Sequence, residues 1–213
     1  MVPGILYVVA TPIGNRDDIT KRALDTLKAV DCVAAEDTRH SGQLLAAFGI
    51  KTKLIALHAH NEAKMSGALI ERLKAGQSIA LISDAGTPLI RDPGYPLVAE
   101  AQAAGITVVP IPGACALVAA LSAAGVPTDV FTFAGFLPAT SSARQRTLEG
   151  FKALTHTLVF YESTHRLMAS LTDVAAVLGE QIEVVLAKEL TKTFETFMRG
   201  TVAELHAWLL DDT

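Results

Sequence analysis

Five short apolar runs, each ending in a loop of polar or glycine residues and most followed by a helical pattern, constrain what the first half of this chain can fold into. The runs are residues 5–10, 32–35, 53–57, 78–82 and 107–109. Each is continuously apolar or nearly so, as strands covered on both faces of a parallel sheet are. Between them, Ile19, Ala23, Leu24, Leu27 and Val30 share one helical face, and Leu44, Leu45 and Phe48 fit a helix stopped by Gly49. Further helices close at Gly76 and Gly105. Strands alternating with helices through short loops give right-handed βαβ units. The first half therefore reads as an α/β domain with a mainly parallel five-stranded sheet.

The second half restarts the pattern. Residues 131–133, 157–161, 182–187 and 194–198 read as strands, and residues 114–124, 143–154, 164–178 and 202–210 as helices. This is a second α/β domain with a mixed, partly antiparallel sheet. The boundary falls near Pro112, dividing the chain into 1–112 and 113–213. The chain stops just after a helix, where α/β logic allows another strand, which reads as a fragment lacking a C-terminal strand.

Composition narrows the function. Half of the 213 residues are hydrophobic and the net charge is −4, so charge alone does not coat this surface with nucleic acid. The deficit sits in residues 119–213, with 7 basic against 11 acidic groups. Cys32 and Cys115 lie in apolar runs without zinc-ligand spacing and read as small core residues, with no disulfide framework and no metal site. No apolar stretch reaches the roughly 18 residues of a membrane span, so the chain reads as a reduced cytoplasmic protein with no membrane partner.

Parallel sheets bind ligands at the carboxyl ends of their strands. Here those ends carry Thr11-Pro12-Ile13-Gly14-Asn15, Glu36-Asp37-Thr38-Arg39-His40, His58-Ala59-His60-Asn61-Glu62, Ser83-Asp84-Ala85-Gly86-Thr87-Pro88 and Pro110-Ile111-Pro112-Gly113. If the strands are parallel, all five converge on one edge. Neither G-x-G-x-x-G nor a P-loop is present. The glycines of residues 83–94 let backbone approach a ligand, and Asp84 or Asp92 can accept from an amine or a ribose. Asp92 alternatively caps a helix with Pro93 at its first position. Pro112-Gly113 precedes a helix and presents backbone N–H groups at its positive end.

Eight segments in order resemble one family: Val9-Ala10-Thr11-Pro12-Ile13-Gly14-Asn15, Ala35-Glu36-Asp37-Thr38-Arg39, Ser83-Asp84-Ala85-Gly86-Thr87-Pro88, Asp92-Pro93-Gly94-Tyr95, Pro110-Ile111-Pro112-Gly113, Gly135-Phe136-Leu137-Pro138, Phe160-Tyr161-Glu162-Ser163 and Lys188-Glu189-Leu190-Thr191-Lys192. The family is that of the bacterial 16S ribosomal RNA cytidine 2′-O-methyltransferases, within the tetrapyrrole-methylase superfamily, and the likeness runs from about residue 4 to 210. It implies two α/β domains with S-adenosylmethionine in the cleft between them, usually as a homodimer, acting on 16S ribosomal RNA within the small ribosomal subunit. The resemblance places Pro12, Ser83, Asp84, Ala85, Gly86, Thr87, Gly113, Ala114 and Cys115 in cofactor loops, and Tyr161, Ala187, Glu189 and Leu190 near the adenine. Two departures stand out. Gly113-Ala114-Cys115-Ala116 replaces the family's Pro-Gly-Pro-Ser-Ala pattern and loses a hydroxyl, and Thr164 replaces a proline before His165-Arg166.

Methyl transfer from a sulfonium to a ribose oxygen is mostly a positioning problem, helped by a base that takes the hydroxyl proton. Asp37, His58 and His60 are the candidate bases and Arg39 a bidentate phosphate clamp. Glu36 and Asp37 are adjacent, so only one of them faces the ligand. Arg39 can instead pair with either carboxylate. Arg144 and Arg146 on a helix, with Arg166 in a motif loop, are candidate RNA contacts. The competing readings are a methylase of a small tetrapyrrole and a cofactor-binding relative without catalysis.

Overall fold

The computed structural model describes residues 2–211. By internal contacts the chain divides into two compact units, Met1–Ala116 and Leu117–Thr213.

The first unit alternates strand and helix throughout. β1 (Ile5–Val9) leads through a 3-10 turn, Arg16–Asp18, into α1 (Lys21–Ala29). Then come β2 (Cys32–Ala35), α2 (Thr38–Ala47), β3 (Leu54–Ala56), α3 (Glu62–Lys74), β4 (Ile79–Ile82), α4 (Tyr95–Ala103) and β5 (Thr107–Ile111). The sheet order is β3-β2-β4-β1-β5 and every pairing is parallel. All five carboxyl ends therefore lie on one edge.

Period-two alternation divides the core cleanly. Cys32, Ala34, Ile79 and Leu81 pack with Leu69, Leu73, Leu97 and Ala101 of α3 and α4 on one face. Val33, Ala35, Ala80 and Ile82 pack with Ala23, Leu27 and Leu45 of α1 and α2 on the other. Both faces are covered, which is why these strands read as unbroken apolar runs. β5 runs through Pro110, two residues past the expected end, because it is the edge strand and a missing N–H there breaks no ladder bond.

Leu117 lies in α5 (Ala116–Ala124), which carries the chain into the second unit. There β6 (Phe131–Phe136) pairs in parallel with β7 (Thr157–Tyr161), and β8 (Glu183–Lys188) pairs antiparallel with β9 (Thr196–Thr201). Both strand senses occur, but among the described residues they form two separate two-stranded sheets. β6 is longer than the apolar pattern suggests, because a bulge between Phe133 and Gly135 lets the strand continue, with Gly135 at φ 68°. α6 (Ser141–Phe151) and α7 (Thr164–Leu178) bury Leu148 and Val177 against Leu137 and Phe160. α8 (Val202–Asp211) opens with a capping box: the Glu204 N–H donates to Thr201 Oγ1 at 3.2 Å, and the Thr201 N–H donates to Glu204 Oε2 at 2.8 Å. Thr201-x-x-Glu204 was legible in the sequence and marks this helix start more sharply than periodicity does. No helix among the described residues is long and apolar enough to cross a membrane.

Candidate functional site

The carboxyl edge of the first sheet gathers its loops into one ledge. Thr11, just past β1, exchanges backbone hydrogen bonds with Gly86, just past β4, at 2.9 and 3.1 Å. Its buried hydroxyl also donates to Ser83 O at 3.3 Å. Beyond β5, Ala114 O accepts from Thr87 Oγ1 at 3.0 Å. Gly86 sits at φ 81°, where a side chain is strained, and a Cβ there would lie 3.2 Å from Ile13. A Cβ on Gly113 would come within 2.9 Å of the Ala10 Cβ. Pro12 is buried beneath this ledge, while Ala85 and Gly113 are exposed. The structure thus brings Pro12, Ser83, Asp84, Ala85, Gly86, Thr87, Gly113 and Ala114 together. Cys115 follows them, half-buried and free of any disulfide.

Residues 83–94 carry backbone strain. Leu89 and Arg91 hold φ of 71° and 72°, a region that costs a residue other than glycine of order 1–3 kcal/mol. Glu62, at the start of α3, steadies the end of this loop by accepting the Gly94 N–H at 3.0 Å. The cap of α4 is Gly94, at φ 123°. Asp92 is not that cap, because the helix starts two residues later than the Pro93 reading required.

Three carboxylates converge at the ends of β2 and β4. Burial pushes Glu36 up, and the charges of Asp84 and Asp92 add to the rise. Burial also pushes Asp92 up; the Ser83 hydroxyl draws it back and Asp84 raises it further. Asp84 reaches across to accept the Asp37 N–H at 3.0 Å.

Asp37 itself is engaged in local structure. It caps α2, accepting the N–H groups of Arg39 at 2.8 Å and His40 at 3.3 Å. Those bonds hold its carboxyl below the usual range, which weakens it as a base. The helix begins at Thr38 because of this cap, earlier than its apolar residues suggested. Arg39 lies 3.7 Å from Asp37 but is 91% exposed, so that ion pair is weak and its guanidinium stays available to a ligand. The His58 N–H donates to Asn61 Oδ1 at 2.9 Å, while its ring Nδ1 is buried without a partner. His60 is exposed, its ring 6.0 Å from that of His58.

The second unit places its expected residues differently. The Tyr161 hydroxyl accepts the Leu117 N–H at 3.0 Å, and its ring packs edge-on against Phe133 and Phe136. Ala187 lies in β8, and Glu189 follows it at φ 55°. Leu190 is half-buried in the turn before β9.

Arg144 is not an RNA contact. Only 4% of its side chain is exposed; its Nε meets the Asp173 carboxylate at 2.6 Å and its Nη1 donates to the carbonyls of Pro138 and Ala139. Arg166 donates to Leu137 O, Pro138 O and Glu162, but 31% of its side chain stays exposed. Both arginines clamp the loop after β6. Helical periodicity places Arg144 and Arg146 on different faces, and the buried Asp173 claims the first. Arg146 remains exposed. No group of three or more His, Cys, Asp or Glu side chains suited to a metal ion occurs among the described residues.

Comparison with known proteins adds three findings. The family model of the Tetrapyrrole (Corrin/Porphyrin) Methylases matches residues 5–206. Proteins named Ribosomal RNA small subunit methyltransferase I are similar over nearly the whole chain. That of Escherichia coli O157:H7 is 59% identical over 98% of this chain and 73% of its own length. The Haemophilus influenzae protein is 58% identical over 98% and 74%, and the Pseudomonas aeruginosa protein 56% over 100% and 76%. Among solved structures, diphthine synthase superposes with a TM-score of 0.75 at 16% identity, covering 96% of this chain and 84% of that one. Uroporphyrin-III-C-methyltransferase from Thermus thermophilus superposes with a TM-score of 0.64 at 23% identity, covering 96% and 88%. At such identities these neighbours establish the fold alone.

Proposed function

This chain belongs to the tetrapyrrole (corrin/porphyrin) methylase family, and from that premise we propose that it methylates the 2′-oxygen of a cytidine ribose in 16S ribosomal RNA, with S-adenosylmethionine as donor. One observation carries the reading: identity of 56–59% to the small-subunit ribosomal RNA methyltransferases over nearly the whole chain. The partner is then RNA of the small ribosomal subunit and the compartment the cytoplasm. A second copy of the chain is the subunit partner that the family resemblance implies.

The chemistry of the ledge fits a cationic nucleoside. The Asp84 and Asp92 charges add to the burial that raises Glu36, and the Asp84 charge adds to the burial that raises Asp92, a repulsion that a bound cation relieves. When bound, the donor supplies an activated methyl group on a positively charged sulfur. Small side chains and bare backbone at Ala85 and Gly113, both exposed, allow close approach, while Asp84 and Asp92 offer acceptors for its hydroxyl and ammonium groups. The strained turns of residues 83–94 and the Thr11–Gly86 pairing hold these groups in place before the ligand arrives. Arg39 and Arg146 are both exposed, and a guanidinium can pair with a phosphate bidentately.

The test is direct. The protein is incubated with tritiated S-adenosylmethionine and undermethylated small ribosomal subunits, and the labelled nucleoside is mapped. Label on a cytidine ribose is the expected result; label on a base, or none, overturns the reading.

A further inference from the structure

We propose that Glu36 is the group that takes the proton from the ribose 2′-hydroxyl as the methyl group is transferred. The proposal rests on the RNA methylation reading above and adds to it the identity of the base. It begins with the neighbouring Asp37, whose carboxylate is held by two backbone N–H groups as the cap of α2 and faces the Arg39 guanidinium. A carboxylate in that setting is a poor acceptor for a further proton.

Glu36 differs in every respect. It follows Ala35 at the carboxyl end of β2, beside β4, whose end begins the proposed donor loop. Strand alternation places it with Cys32 and Ala34, on the face that α3 and α4 cover. The charges of Asp84, at the end of β4, and Asp92, in the loop before α4, act on it, and no cation among the described residues offsets them. Its carboxylate makes no hydrogen bond or ion pair among the described residues, although it is partly buried. His58 and His60 are the other candidates, and both follow β3, the strand on the far side of β2 from β4. The ledge thus offers one uncommitted acceptor next to the donor loop, and burial has made that acceptor a better base than a solvated carboxylate.

The step balances. The 2′-oxygen forms its bond to the methyl carbon while the carbon–sulfur bond of the donor breaks, its electron pair remaining on sulfur. The hydroxyl proton passes to the Glu36 carboxylate, which becomes a neutral carboxylic acid and later releases the proton to water. The sulfonium charge and the carboxylate charge disappear together.

The experiment compares the parent protein with Glu36→Gln and Glu36→Asp, using undermethylated small subunits for turnover and calorimetry for S-adenosylmethionine affinity. Glu36→Gln should lower kcat at least about 100-fold, a loss at least roughly tenfold larger than any accompanying loss of donor affinity. The acid limb of the parent's kcat–pH profile should be absent from the residual activity. Glu36→Asp should retain a measurable rate with an acid limb, which keeps the test valid if the amide variant folds poorly. Unchanged turnover in Glu36→Gln, or a loss of kcat matched by an equal loss of donor affinity, overturns the proposal. No ribose label from the parent protein overturns instead the functional reading on which it rests, so the two failures are distinct.

Discussion

The Asp84 carboxylate accepts the Asp37 N–H at 3.0 Å, so a side chain from the end of β4 sets the backbone of the turn after β2. The two residues are 47 apart in sequence and belong to the loops proposed for the donor and for the reacting ribose. A single carboxylate therefore joins both loops.

Replacing Asp84 tests that joint. Asp84→Ala removes the acceptor and one of the charges that raise Glu36 and Asp92. A hydrogen bond to a charged group contributes about 1.5–3 kcal/mol, so donor affinity should fall by about tenfold or more. Asp84→Asn keeps an oxygen in place and should lose less. Calorimetry with S-adenosylmethionine reads both variants, and parental affinity in the alanine variant would refute a role for this loop in donor binding.

Arg144 separates scaffold from RNA contact. Removing it leaves Asp173 buried and without its cation, at a cost of about 3–5 kcal/mol. Arg144→Met should therefore lower the urea midpoint of the second unit sharply. Arg146→Ala should leave that midpoint unchanged and weaken binding to small subunits at low salt. The reverse pattern would return Arg144 to the RNA surface.

Acid should act on the same pair. Burial pushes Asp173 up, but bonds from Gln145, Ser141 and Arg144, with the guanidinium charge, outweigh it and hold the carboxyl below its ordinary 3.8. A lowered folded value means that the stabilisation is complete above 3.8 and is lost as pH falls through the folded value. Stability of the parent should drop steeply below pH 3.8, and in Asp173→Asn the drop should be shallower. Equal slopes in the two proteins would contradict the pairing.

The sheet and its ligand edge were legible because burial on both faces writes itself into β1 to β5 as unbroken apolar runs, and parallel pairing forces their ends together. Side-chain commitments were not legible. Asp37 and Glu36 are adjacent carboxylates of the same chemical type, and only the start of α2 at Thr38 decides which of them is engaged as a cap. Arg144 and Arg146 look equivalent as charges, and only Asp173, 29 residues away from Arg144, distinguishes them. Pairings of long sequence separation leave no local pattern, whereas the Thr201–Glu204 capping box is a local pattern that apolar periodicity overshadowed.

Gly86 should be replaceable only at the expense of the ledge. An alanine there must hold φ 81° and press its Cβ to within 3.2 Å of Ile13 Cγ2. A substitution to alanine at positive φ destabilises by more than about 0.4–1 kcal/mol. The Thr11–Gly86 pairing and the Ser83 turn would shift with it, so donor affinity should fall further than stability does. Gly105→Ala, with φ 69° but open space around its Cβ, shares the backbone strain without touching the ledge. It should lower the melting temperature comparably while leaving donor affinity intact, and equal affinity losses in the two variants would remove the special role of Gly86.

Donor binding should depend on pH through Glu36 and Asp92. Both carboxyls lie above their ordinary values of 4.5 and 3.8 in the free protein, driven first by burial. A raised folded value means that protonation favours the fold: this contribution to stability is fully present below the ordinary value and is lost as pH rises through the folded one. A cationic donor reverses the preference, because it interacts with the ionised form and draws both carboxyls down. Binding should therefore release protons across this acidic range. Affinity should rise with pH from about 4.5 upward and level off once both groups are ionised without the donor. Calorimetry in two buffers of different ionisation enthalpy measures the proton release, and Asp92→Asn should reduce it. Affinity that does not change between acid and neutral pH would show that the donor's charge does not face these carboxylates.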